Sequence, residues 1–391
     1  MDRRDFLRRA AAAGSLAGAG ALGLPLGAGG SGAFGDRGVR EEARPGPGRA
    51  AEASPTGDSG AQDRIIIDGL GEIRREYPVE LLDEVRASGL TTCVVTVGNP
   101  ALHGPSAFDD LHAEVAAYDA HIRAHPDRLS RVVDTAGIRR CAEDGTLGLL
   151  YYTQNASPIQ DDLTRLDLLH RMGVRIVQVT YNTRNLLGDG HLERTDAGLS
   201  RFGIQAVERM NDLGLLVDAS HSGEATSLET IEFSEKPVAI THAGCQGVFD
   251  HPRNKSDRVL RAMAEKGGVV GIFQLNPYLG PRDRNDLDDY LDHIDHAVNV
   301  CGIEHVGIGS DREHQRIPDT PEEVERLRQE IARLGPEAEA RFRWPFFLSE
   351  LNHPRRMETV TQGLARRGRP PREIDKILGE NFLRLFEETI G

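Results

Sequence analysis

Eight short runs rich in valine, isoleucine and leucine recur between residues 64 and 311, each set apart from the next by a stretch of helical periodicity. They cover residues 64–70, 91–98, 148–154, 174–182, 215–221, 237–243, 268–274 and 305–311. Most do not alternate apolar with polar residues, and strands buried on both faces read this way. Between them lie amphipathic stretches such as 197–213 and 257–266. Strands and helices in this alternation predict a (β/α)8 barrel of the TIM type. The rival is a doubly wound open sheet, but no glycine-rich dinucleotide turn follows the first strand. Residues 129–135 form a further strand-like run, read as an irregular insert.

A barrel gathers its functional groups where the strands end at their C-termini. His221, His242, Gln154, Asn182 and Asp311 all stand at such ends, so they are expected to converge. A lone strand-end histidine is usually structural. Here the pattern repeats, in Leu215-Leu-Val-Asp-Ala-Ser-His221 and Lys236-Pro-Val-Ala-Ile-Thr-His242. Paired neutral imidazoles on a rigid scaffold suit a divalent metal. His191 and His251 fall in loops and read as solvated, with His251 close to Arg253. His314 follows Asp311 closely enough to reach the rim, and Cys245 lies near His242.

The chain of 391 residues suffices for one large barrel, and its 39% apolar content is ordinary for a soluble protein. A net charge of −14 argues against a nucleic-acid partner. Residues 1–30 read as an export signal, whose Arg3-Arg4-x-Phe6-Leu7 core resembles the twin-arginine class. The expected location is therefore periplasmic or extracellular. The apolar part of that segment is too glycine-rich for a stable membrane helix. Residues 31–62 are rich in Gly, Pro, Ala and Ser and read as a flexible linker, leaving 63–391 for the barrel. Cys93, Cys141, Cys245 and Cys301 show no disulfide framework.

Several segments together carry a family resemblance. They are Gly173-Val-Arg-Ile-Val-Gln-Val-Thr-Tyr-Asn182, Gly198-Leu-Ser-Arg-Phe-Gly203, Arg209-Met-Asn-Asp-Leu-Gly-Leu-Leu-Val-Asp-Ala-Ser-His221, His251-Pro-Arg-Asn-Lys-Ser-Asp257, Val306-Gly-Ile-Gly-Ser-Asp311 and Gly379-Glu-Asn-Phe382. With these the chain resembles the renal (membrane) dipeptidase family of the amidohydrolase superfamily. The resemblance implies a barrel that holds two zinc ions, bridged by a glutamate and a hydroxide, and hydrolyses dipeptides. It also implies a homodimer. His221 and His242 match the two histidines that bind one zinc. Arg253 matches the arginine that holds the substrate carboxylate, a task suited to a planar two-pronged donor. Asp311 matches the aspartate beside the substrate amine and the nucleophile.

The chain also departs from that pattern. The family's first strand ends in His-x-Asp; here the aligned stretch is Asp68-Gly-Leu-Gly-Glu72, with Leu70 in the histidine's place and Glu72 in the aspartate's. The bridging glutamate is replaced by Gln154, a weak neutral donor, and a substrate-facing histidine by Tyr181. Two dications about 4 Å apart repel and need bridging anions. One zinc ion on His221 and His242 is therefore expected, completed by Gln154, Glu72, Asp311 or water. The expected activity is hydrolysis of a dipeptide or N-acyl amino acid, with Asp311 as base, Tyr181 facing the oxyanion, and Arg253 and Asn182 binding substrate. The alternatives are an exported tautomerase, epimerase or lyase acting on a peptide-derived metabolite, and a degenerate binding barrel.

Overall fold

The computed structural model describes residues 64–281, 286–332 and 342–391. The expected export signal and linker lie outside the described residues. Nine strands follow in order: β1 Ile66–Gly71, β2 Leu90–Thr96, β3 Leu129–Val132, β4 Leu147–Thr153, β5 Val174–Gln178, β6 Leu216–Asp218, β7 Ala239–Ala243, β8 Val269–Ile272 and β9 Val306–Ile308. Every pairing is parallel, β1 lies between β2 and β9, and contact of β2 with β4 closes the ring. The barrel expected from the eight apolar runs is the fold observed.

The insert at 129–135 has a definite place. One edge of β4 pairs with β2 over Gly148–Tyr152. On the opposite edge β3 takes Leu147–Leu150, and β5 takes over from Tyr151. A short ninth strand thus fills the wedge that the stagger of β5 leaves open.

Alternation along each strand sorts side chains between the lumen and the outer layer. Ile67, Val94, Leu150, Tyr152, Ile176 and Leu216 share one buried cluster with Phe382 and Phe386. Their neighbours Ile66, Cys93, Val95, Leu149, Tyr151 and Val177 pack outward. The closing helix Asn381–Thr389 stoppers the lumen from below. A Cβ on Gly69 would come within 2.3 Å of Phe382 Cζ, so only glycine lets that ring enter. Asn381 Nδ2 donates to Ile303 O (2.7 Å) and Val306 O (2.8 Å), tying the helix to the start of β9. The Gly379-Glu-Asn-Phe382 motif is therefore a barrel plug, far in role from the chemistry.

The helices obey local capping rules. The stretch expected to be helical from 197 begins at Arg201 instead, because Ser200 is extended and its Oγ caps Gly203 N at 2.9 Å. Before it, Ala197 N and Leu199 N bond to the carboxylates of Asp189 and Glu229 rather than to a helix. Gly214, left-handed at φ 71°, ends the helix. No helix among the described residues is long and apolar enough to cross a membrane.

Phe382→Ala should empty the lower lumen and lower unfolding free energy by about 3–5 kcal/mol, the usual range for a buried aromatic. Urea denaturation with an unchanged slope would check this; a loss under about 1 kcal/mol would show that the ring is not the plug.

Candidate metal and catalytic site

The polypeptide leaves β6 at Asp218 and turns at once, with Ser222 N bonding back to Ala219 O at 3.2 Å. That turn swings His221 across the barrel mouth toward His242 on β7. The two Nε2 atoms face each other at 2.9 Å. Each Nδ1 has its own oxygen partner. His221 Nδ1 meets Asn182 Oδ1 at 2.7 Å, with the oxygen end of Asn182 assigned to this contact, and His242 Nδ1 meets Thr241 Oγ1 at 2.8 Å. Burial, and then the Arg253 charge, hold both imidazoles well below their usual pKa. Neutral rings with their outer nitrogens anchored are what a metal requires of histidine, so the pair fits a divalent ion.

Arg253 is itself buried. Its Nη1 donates to Ser220 O (2.7 Å) and its Nη2 to His242 O (3.0 Å), so the guanidinium clamps the two histidine-bearing turns. It stacks on Phe273 with 5.4 Å to the ring centroid. Each terminal nitrogen keeps a further N–H beyond these two bonds. Lys255 lies behind the site, its Nζ donating to Ser222 O (2.6 Å) and Ser227 Oγ (2.9 Å), and burial pushes it down to about 7.

Tyr181 stacks on His221, with 4.4 Å between centroids and 29° between planes. Burial and the nearby Asp311 push its phenol up, so it keeps its proton. Asp311 follows β9 in the left-handed region at φ 55°, one of the few conformations where aspartate is tolerated better than most residues. Its amide donates to Leu70 O at 2.8 Å, and Ser310 N before it donates to Asp68 Oδ1 at 2.8 Å. The Asp311 side chain keeps part of its surface open to the barrel mouth, yet desolvation pushes it up to about 7 against the pull of Arg253, with Glu72 and Asp68 adding to the rise.

The remaining sequence candidates form a neighbouring group. Gln154 Nε2 donates to Thr96 Oγ1 at 2.9 Å. Glu72 also bonds Thr96 and lies 3.3 Å from Arg74 Nη1, while burial raises its carboxyl. Leu70 is fully buried in the lumen. Among the described residues no carboxylate joins His221 and His242 in a group of three ligand atoms within 4.8 Å; the group that meets this spacing is Asp68, Cys93 and His314. That group already holds its positive charge. Asp68 accepts from Ser310 Oγ and from His314 Nε2 (3.0 Å), and Arg356 Nη2 stands 3.5 Å away. With Arg312 also acting on His314, a further cation there would meet like charge. His314 thus turns inward to a structural node rather than reaching the rim.

His191, expected to be solvated, belongs to the site instead. Its ring centroid is 5.6 Å from that of His221, and its amide donates to His221 O at 2.9 Å. The loop after β5 folds back over the mouth through Leu192 N to Asn182 O (2.9 Å), a contact that no local pattern reveals. His251 accepts from Arg253 N at 3.1 Å and lies 4.7 Å from the Tyr278 ring, so it too is packed. Cys245 faces away, its Sγ toward His293 O at 3.4 Å, and all four cysteines are free.

The sequence profile of membrane dipeptidase, peptidase family M19, matches residues 79–339. The chain belongs to that family. It is 30% identical over 222 residues to an uncharacterised protein in the pqqA 5′ region of Klebsiella pneumoniae, covering 54% of this chain and 82% of that one. It is 33% identical over 211 residues to the dipeptidase verJ of Clonostachys rogersoniana, covering 52% of this chain and 54% of that one, so it spans about half of that relative. Among solved structures, an amidohydrolase from Pseudomonas aeruginosa superposes with a TM-score of 0.74 at 32% identity, over 85% of this chain and 98% of that one. A metallo peptidase from Rhodobacter sphaeroides, liganded with a phosphinate mimic of the dipeptide L-Ala-D-Ala, shares the fold with a TM-score of 0.68 at 20% identity, over 84% of this chain and 100% of that one.

The raised Asp311 has a consequence for stability. The folded chain keeps that proton up to about 7, the unfolded chain only to the ordinary 3.8. Between those values the native state binds more protons, so Asp311 makes metal-free protein less stable as pH rises through the window. Asp311→Asn should remove this part of the slope, visible as a gain over wild type in urea midpoint above pH 7 that vanishes near pH 4. An equal difference at both pH values would disprove the shift.

Proposed function

We propose that the chain is a single-metal hydrolase that cleaves the amide bond of a dipeptide or N-acyl amino acid. The observation that carries this reading is the His221–His242 pair, two neutral imidazoles whose Nε2 atoms meet at 2.9 Å. A zinc ion held there would supply a water acidified to a pKa of about 7 and a Lewis acid for the carbonyl. His221 and His242 would hold it, with water completing the shell.

A one-metal site is supported by the fate of the neighbouring positions. Glu72 faces Arg74 and Thr96, Gln154 donates its amide to Thr96, and Leu70 has no donor. The chain's own groups then divide the work. Arg253 orients the substrate carboxylate against the paired histidines. Asp311, at the barrel mouth within the field of Arg253, takes a proton from the attacking water and returns it to the leaving amine. Tyr181 remains protonated and donates to the carbonyl oxygen as negative charge builds on it. The dipeptide mimic in the Rhodobacter relative and the dipeptidase name of the Clonostachys relative support the substrate class. The twin-arginine-like start supports action outside the cytoplasm.

Elemental analysis of the purified chain should find one metal per molecule, and chelation should abolish turnover of a dipeptide panel. His221→Ala should bring metal to background and lower kcat/KM by more than about 100-fold, beyond the loss expected for an outer partner. Loaded wild type that is inert to dipeptides and N-acyl amino acids would refute hydrolysis. Exchange of a dipeptide α-proton with solvent in that same protein would favour the epimerase reading, since Asp311 and Tyr181 are also an acid–base pair.

A further inference from the structure

We propose that Asp218 sets the tautomer of His242 through the Thr241 hydroxyl, and that it is the positioning residue that turns an imidazole lone pair, not an N–H, toward His221. The inference rests on reading the histidine pair as a metal site. It names the group that keeps the site open to a cation.

Asp218 is fully buried at the end of β6, and donors converge on both of its oxygens. Oδ1 accepts from Ser220 N (3.1 Å), Ser220 Oγ (2.6 Å) and Thr241 N (3.0 Å). Oδ2 accepts from Thr241 Oγ1 (2.8 Å) and from the Tyr152 hydroxyl. A hydroxyl has one hydrogen. Thr241 spends it on the carboxylate, so toward His242 Nδ1, 2.8 Å away, its oxygen can only accept. Nδ1 therefore carries the ring's proton, and Nε2 carries a lone pair. Asn182 imposes the same choice on His221 from the other side. Two lone pairs then face each other across 2.9 Å, an arrangement that favours a cation bound by both, to one side of the line that joins them.

Replacing the carboxylate by its isosteric amide reverses the relay. In Asp218→Asn the three donors at Oδ1 keep the amide oxygen there, which places the NH2 where Oδ2 stood. That NH2 donates to Thr241 Oγ1 and Tyr152 Oη, and Tyr152 donates instead to Gln178 Oε1, already 2.6 Å away. Thr241 then donates to His242 Nδ1, its nearer acceptor at 2.8 Å, with Ser220 Oγ farther at 3.2 Å. The proton moves to Nε2, where it bonds to His221 and closes the cation's place. All these groups stay paired, so the fold should survive.

The test uses the full metal-free chain labelled with 15N. Long-range proton–nitrogen correlation should show His242 protonated at Nδ1 in wild type and at Nε2 in Asp218→Asn. Titration with Zn2+ alone should show affinity about 10- to 100-fold weaker, the range for outer partners of a metal ligand. Thr241→Val cuts the relay without touching the charge of Asp218 and should weaken Zn2+ binding similarly, while Thr241→Ser retains the hydroxyl and should restore it. An Nδ1 proton persisting in Asp218→Asn, or Zn2+ affinity in Thr241→Val within about twofold of wild type, overturns the proposal. Should Asp218→Asn not fold, the Thr241 pair decides alone. Should wild type bind no Zn2+, the hydrolase reading falls, and the tautomer measurement still tests the relay.

Discussion

The approach of His221 Nε2 to His242 Nε2, at 2.9 Å, shapes the arrangement of the barrel mouth around it. With the tautomers proposed above, two lone pairs face each other, and they do not come this close without restraint. Arg253 supplies much of it by bonding the carbonyls of Ser220 and His242 together. Asn182 and Thr241 fix the rings' outer nitrogens, and Tyr181 covers one ring face. The frame is built from backbone carbonyls and short side chains, which have little freedom to relax away. It holds the donors in place before any cation arrives, so little reorganisation opposes binding.

Charge explains the asymmetry of the site. Behind the histidines lie the buried guanidinium of Arg253 and the buried amine of Lys255, which desolvation lowers to about 7, and Asp218 between the two histidine strands acts on both of these groups. On the far side, Glu72 faces a cation that the chain itself provides, Arg74. A carboxylate so paired gains less from a metal than a free one would. Between these halves Asp311 stands desolvated at about 7, able to exist in either protonation state near neutrality.

Much of this was legible along the chain. The eight apolar runs declared the barrel, since strands covered on both sides by helices must be apolar throughout. His221, His242, Arg253 and Asp311 stood out through their positions at strand ends or within the family segments. Other features were hidden for a common reason. His191 sits in a loop of unremarkable composition, and only its fold-back over β5 brings it beside His221. Asp218 reads as one more residue of a strand. Its five donors come from two strands, β4 and β7, and the turn after β6, and no local pattern encodes such a meeting. His314 follows Asp311 closely enough to have reached the rim, but the turn after β9 directs it to Asp68.

The sequence by itself determined the class of architecture, the family and the two imidazoles, because periodicity and residue chemistry are local properties of a chain. Tertiary structure alone decided which nitrogen of each ring faces its partner, that Glu72 is answered by Arg74, and that Asp311 is desolvated. Those outcomes depend on distances of about 3 Å between groups remote in sequence, where hydrogen-bond direction and loss of water set the energies.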